Sequence, residues 1–185
     1  LLGRLGLQVP YSSLHRFAVE HCDFGPKRLT LRRAEVDPGE LAEVDFGRLG
    51  RVFDPAWGKN RLAHALIVTL VYSRHQYVHL SFTQKLPDLI EGLESAWEFF
   101  QGMVRRVVID NLKAAVVKSH RYEPLFQRTF EEYANYRGFV IDPARCGTAT
   151  DKPHVERAVP YVRESFFRGE TFLSLSHAQQ QAVRW

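Results

Sequence analysis

Three acidic side chains of this sequence have the type and spacing to gather around divalent metal: Asp45, Asp110 and Glu156. Asp45 lies in Glu43-Val44-Asp45-Phe46-Gly47, whose alternation reads as a β-strand, where aspartate is disfavoured. Asp110 closes the apolar run Val107-Val108-Ile109, and Glu156 falls in the first turn of a helix. A phosphodiester is anionic and resists attack by water or a hydroxyl. Two divalent ions about 3.5–4 Å apart activate the nucleophile and stabilise the leaving oxygen. Magnesium prefers hard oxygen ligands, which carboxylates from three separate elements supply. Taken singly, two of these acids have ordinary explanations. Asp110-Asn111 is a common turn pair, and the helix dipole favours any acid at position 156. Asp45 is harder to explain that way. Asp37, Asp54, Asp142 and Asp151 read as turn or loop acids and are weaker candidates.

The elements that must position these acids follow from periodicity. Residues 1–22 read as helical: Ser12 or Ser13 caps a helix after Pro10-Tyr11, with Leu14, Phe17, Ala18 and Cys22 on one face. Residues 23–39 form a linker carrying Lys27, Arg28, Arg32 and Arg33, basic residues suited to phosphates. From residue 40 the pattern alternates. Ala42, Val44 and Phe46 oppose Glu43, Asp45 and Gly47, so Asp45 lies across the strand from the phenylalanine. A second strand is expected just after, around 51–53, and β-rich apolar runs follow at 61–72 and 77–82; short turns joining these segments suggest three consecutive antiparallel strands. Leu86 to Gln101 forms an amphipathic helix, and 107–110 a buried strand. A helix over 125–137 ends at Gly138, and 139–141 is a strand. A polar loop, 142–152, leads to a helix with Pro153 at its first position. Val155, Val159, Val162 and Phe166 line its buried side, and Pro160 kinks or divides it. The order β-β-β-α-β-α-β-α is the ribonuclease H-like arrangement: an α/β fold with a mixed five-stranded sheet and flanking helices. In it Asp45 and Asp110 are neighbours.

Bulk properties agree with one such domain and a small extra piece. The chain has 185 residues, 45% hydrophobic, with a formal charge of +4 and a pI near 9.2. That balance permits nucleic-acid binding without demanding it. Cys22 and Cys146 are too few and too scattered for a disulfide framework or a zinc site. The longest strongly apolar stretch, Leu66 to Tyr72, is strand-sized, so no membrane association is expected. The chain opens at Leu1 and stops at Trp185 in a helix-like run, and both ends read as cut from a longer protein.

Three segments together resemble a known family. Glu43-Val44-Asp45-Phe46-Gly47, Val108 to Val116 (VIDNLKAAV) and Asp151 to Val159 (DKPHVERAV) resemble the catalytic core of bacterial insertion-sequence transposases of the IstA type. These sit within the retroviral-integrase-like DDE superfamily, and the likeness covers about residues 10–175. It implies that Asp45, Asp110 and Glu156 are the metal-binding catalytic triad, holding two Mg2+ ions for which Mn2+ can substitute. Their separations are 65 and 46 positions.

The resemblance further implies hydrolysis that exposes 3′-hydroxyls at terminal inverted repeats, then strand transfer into target DNA. It implies a helper AAA+ ATPase, a homo-oligomer on DNA, and a cytoplasmic, nucleoid-associated location. Residues 1–22 then resemble the C-terminal part of a helix-turn-helix, with Ser12, Ser13, His15 and Arg16 as base or phosphate contacts. Residues 23–39 are the basic linker, 40–175 the catalytic core, and 176–185 the start of a truncated following segment. Lys113, Lys152, His154 and Arg157, beside the acids, are placed to hold the scissile strand's phosphates; the alternative for Lys113 and Arg157 is that they balance nearby carboxylates. Two other readings stay open: a truncated DNA-binding remnant without strand-transfer activity, and a ribonuclease H-like nuclease acting on a hybrid or branched substrate.

Overall fold

The computed structural model describes residues 10–22, 36–109, 116–118, 125–143 and 155–185. By contact the chain divides into two units, 1–34 and 35–185. The first contributes one described helix, α1 (Tyr11–His21). The carbonyl of Pro10 accepts from Ser13 N and Leu14 N, both at 3.1 Å. Pro10 is therefore the residue at the helix entrance, and no side chain caps it. This corrects the expected serine cap: Ser12 and Ser13 lie inside the first turn because the proline carbonyl already starts the bonding. Leu14 and Phe17 are exposed, so the apolar stripe of α1 is not buried.

The second unit is built on a mixed sheet in the order β3-β2-β1-β4-β7. The strands are β1 (Leu41–Asp54), β2 (Lys59–Leu70), β3 (Gln76–Ser81), β4 (Arg106–Ile109) and β7 (Val140–Pro143). β1 runs antiparallel to β2 and parallel to β4, and β4 runs parallel to β7. A small separate hairpin joins β5 (Val116–Lys118) to β6 (Leu125–Phe126). The five-stranded sheet expected from the sequence is present. Two elements differ in detail. The strand expected at 51–53 is the continuation of β1, which passes through a bulge between Arg48 and Gly50 instead of turning. Leu125 and Phe126 pair in β6, so α3 (Arg128–Arg137) starts later than periodicity predicts.

Alternation divides the side chains of the sheet into two cores. On one face Ala42, Val44, Leu66, Val68, Val107 and Ile109 pack with α2 (Leu86–Phe100) and α3. Leu89, Leu93, Ala96 and Trp97 form the buried stripe of α2, and Phe130 and Ala134 that of α3. On the other face Leu49, Val52, Ala63, Ala65, Ile67, Val78 and Leu80 pack with α4 (Val155–Val162), the turn after it, and α5 (Leu175–Arg184).

Pro160 sits inside α4, and the helix continues to Val162 before widening into a π turn over Arg163–Phe167. Arg168 N bonds Arg163 O at 2.8 Å, a five-residue span. The widening sends Phe166 into the core and Phe167 against β1. Ser174 caps α5 by accepting from His177 N. Gln179 of α5 then accepts from Leu80 N at 2.7 Å and donates to Val78 O at 2.9 Å, covering the outer edge of β3.

His64 and His79 are buried in the strands facing α2, and burial holds both rings below the ordinary histidine value of 6.5. Neutral rings suit that site. The unfolded chain therefore binds more protons than the folded one between the lowered values and 6.5. Stability from these rings is complete above that window and falls as pH drops through it. Denaturation series should show stability declining from pH 7 towards pH 5. The double variant His64→Gln/His79→Gln should flatten that slope.

Candidate active site

β1 and β4 are parallel neighbours, and their connections leave towards opposite edges of the sheet, to β2 on one side and β7 on the other. The carboxyl ends of strands at such a switch point form a crevice where ligands bind in open α/β sheets. Asp45 stands at this end. The β1–β4 register closes with Val44 opposite Ile109, and Asp45 is the next residue, paired on its other side with Ile67 of β2. Asp45 is half-buried on the face opposite Val44, as alternation predicts.

Two glycines let a helix lie directly on this strand. A Cβ added at Gly47 would meet Val159 Cγ1 at 2.2 Å, and one added at Gly50 would meet Phe167 Cε1 at 2.4 Å. Gly47 is two residues beyond Asp45, on the same strand face. Position 156 precedes Val159 by three on α4, and helix positions three apart share a face. The backbone at position 156 is described as the second residue of α4; its side chain is outside the described set.

The other expected site residues divide plainly. Asp110 lies outside the described residues, one position after the end of β4, and so do Lys27, Arg28, Lys113, Lys152 and His154. Arg157 lies on α4 with its side chain outside the described set. Ser12, His15 and Arg16 are exposed on α1, and Ser13 is half-exposed. No group of three metal-ligating side chains occurs among the described residues, a set that contains one acid of the three.

The weaker acids have structural work. Asp54 is buried and accepts from Arg61 Nη1 at 2.6 Å and from Ala56 N at 3.0 Å. Asp142 lies 3.6 Å from Arg106, which also bonds Glu40 at 2.8 Å. Glu43 is the residue the sequence reading passed over. It is fully buried, two positions before Asp45 on the same strand face, in register with Thr69 and Val108. Its signal was available: two acids spaced by two on a strand share a face.

No family model matches the chain. Sequence comparison is more informative. Over 182 residues, 97% of the chain, it is 37% identical to a Mycobacterium tuberculosis protein described as a transposase. The chain is a relative of insertion-sequence transposases. It is also 32% identical over 161 residues, 86% of the chain, to the transposase for insertion sequence element IS21 of Pseudomonas aeruginosa. It spans 44% and 40% of the lengths of these two relatives. Among solved structures it superposes on the HTLV-2 integrase catalytic core domain in complex with magnesium. The TM-score is 0.54 at 13% identity, over 81% of this chain and 87% of that one. The fold of this transposase relative is that of a retroviral-integrase catalytic core.

The seat of α4 on β1 can be tested by volume. Gly47→Ala should destabilise the protein by about 1–3 kcal/mol, since the added methyl group overlaps Val159. Val159→Ala in the same chain should return part of that loss. Urea midpoints of the single and double variants measure it; a neutral Gly47→Ala would mean that the helix does not lie on the strand.

Proposed function

We propose that this chain is the catalytic core of a DNA transposase of the IstA type. In this reading it cleaves at the ends of a mobile element and joins the resulting 3′-hydroxyls to target DNA. The observation that carries the reading is the convergence of three elements. β1 brings Asp45 to the end of its pairing with β4, β4 stops at the residue before Asp110, and α4 lies over Gly47 with position 156 one turn from Val159. The similarity to insertion-sequence transposases and the integrase-core fold support it.

The donor set fits divalent metal. Asp45, Asp110 and Glu156 are hard oxygen ligands from three separate elements, and the one described in full is half-buried on the same strand face as Glu43. When bound, two ions supply activation of the attacking oxygen and charge for the leaving oxygen. The magnesium in the HTLV-2 core structure supports the same choice of metal here. The chain's own task is position. A short parallel pair and a helix pressed onto glycine fix the elements that carry the three carboxylates, and DNA is taken at that end of the sheet. Lys113, Lys152, His154 and Arg157 hold phosphates of that strand, and Ser12, Ser13, His15, Arg16, Lys27 and Arg28 contact the element end. The protein acts as a homo-oligomer, because two element ends must react together, and with a helper AAA+ ATPase.

The test uses duplexes carrying the element end, with Mg2+ or Mn2+. Asp45→Asn, Asp110→Asn and Glu156→Gln should each slow nicking by roughly a hundredfold or more, about 2.7 kcal/mol of barrier. DNA binding should survive in all three. Wild-type binding with no nicking under either metal points instead to a DNA-binding remnant. Full activity in all three variants removes the triad assignment.

A further inference from the structure

The β1–β2 hairpin is longer than the sheet needs. β4 accompanies β1 only as far as Val44, and β3 accompanies β2 only from His64 to Thr69. Gly50–Asp54 and Lys59–Ala63 therefore pair with each other alone among the described strands. They make a two-stranded ribbon closed by the turn Pro55-Ala56-Trp57-Gly58, with Gly58 at φ +59°.

The inner side of this ribbon is ordinary core: Val52 and Ala63 are buried, and Asp54 is tied to Arg61. The outer side is unusual for a protruding element. Arg51, Phe53, Asn60 and Leu62 are exposed, facing each other across the ladder as Arg51–Leu62 and Phe53–Asn60. At the tip Trp57 is 66% exposed, with Lys59 Nζ 5.1 Å from its ring centre. Four cations, Arg48, Arg51, Lys59 and Arg61, stand against one acid between positions 46 and 63, and that acid is already paired with Arg61.

We propose that this ribbon is a second DNA-contacting element, in which Arg51 and Lys59 hold backbone phosphates and Trp57 packs against the duplex at the tip. The proposal rests on the DNA-processing reading above. Charge selects the partner: Arg51 on the outer side and Lys59 at the tip, with the one acid tied to Arg61, complement a polyanion. Shape agrees, since the major groove of B-DNA admits a two-stranded β-ribbon. Phosphate contacts of this kind give affinity and register without reading sequence. Distance separates this contact from the chemistry. Nine strand steps from Asp45 to Asp54 cover roughly 30 Å, or about 8–9 base pairs of duplex. The ribbon thus extends the footprint of the core along DNA well beyond the phosphate at Asp45.

The experiment is binding of the full chain to a mixed-sequence DNA duplex across a salt series, by fluorescence anisotropy. Arg51→Ala/Lys59→Ala should weaken binding and reduce the slope of log affinity against log salt by about 2, one phosphate per cation. Trp57→Ala should weaken binding and leave that slope unchanged, since it removes no charge. Arg128→Ala, an exposed cation on α3, is the control and should change binding little. Thermal melts of all variants should match wild type, because every altered side chain is at the surface. If the ribbon variants bind as wild type does, or Arg128→Ala weakens binding equally, the ribbon assignment is overturned and the transposase reading stands. If the wild-type chain does not bind DNA, that reading falls and the ribbon with it.

Discussion

The close approach of α4 to β1 is the constraint on which the rest of the second unit depends. A helix ordinarily rests on a sheet through side chains from both partners. Here two strand positions lack a Cβ, and Val159 and Phe167 occupy that space. The helix is thereby fixed at one place along β1 as well as at one height above it. The π turn after α4 serves the same fit. The widened backbone lets Phe166 enter the core while Phe167 reaches Gly50.

That constraint also explains how the sheet divides its labour. The face against α2 and α3 is closed and almost wholly apolar along β1 and β4. The opposite face carries Glu43, Asp45, Thr69 and Asp142 among its apolar residues. Acids on the first face would be desolvated between two layers, a cost that only pairing offsets. On the second face α4 and the π turn meet β1 beyond Asp45, and that carboxylate is half-buried while Glu43 is fully buried.

Much of this was readable from residue order, for physical reasons. Strict alternation at Ala42–Gly47 fixed the face of Asp45, because a strand has period two and no alternative register hides both Val44 and Phe46. The stripe Leu89, Leu93 and Trp97 fixed the buried side of α2 in the same way. The serine cap of α1 failed because proline at the entrance offers its carbonyl first, a competition that composition does not reveal. The strand expected at 51–53 is part of β1, because Gly47 and Gly50 leave space for another element, a reason known only in three dimensions. Glu43 was legible in principle. Its alternation matches that of Asp45, which places both acids on one face, and its complete burial follows from the packing of that face. Asp110 lies outside the described residues and Glu156 has no described side chain, so these two acids are assigned from residue order alone.

Gln179 has a consequence for how copies of this core can meet. An edge strand normally offers its outward amide and carbonyl groups to any passing strand. In β3 the Leu80 amide and the Val78 carbonyl are already satisfied by one side-chain amide, which imitates the peptide group of a missing sixth strand. The imitation supplies one rung and then stops, because a glutamine side chain has no next residue. Sheet-to-sheet growth through that border is therefore blocked at its middle.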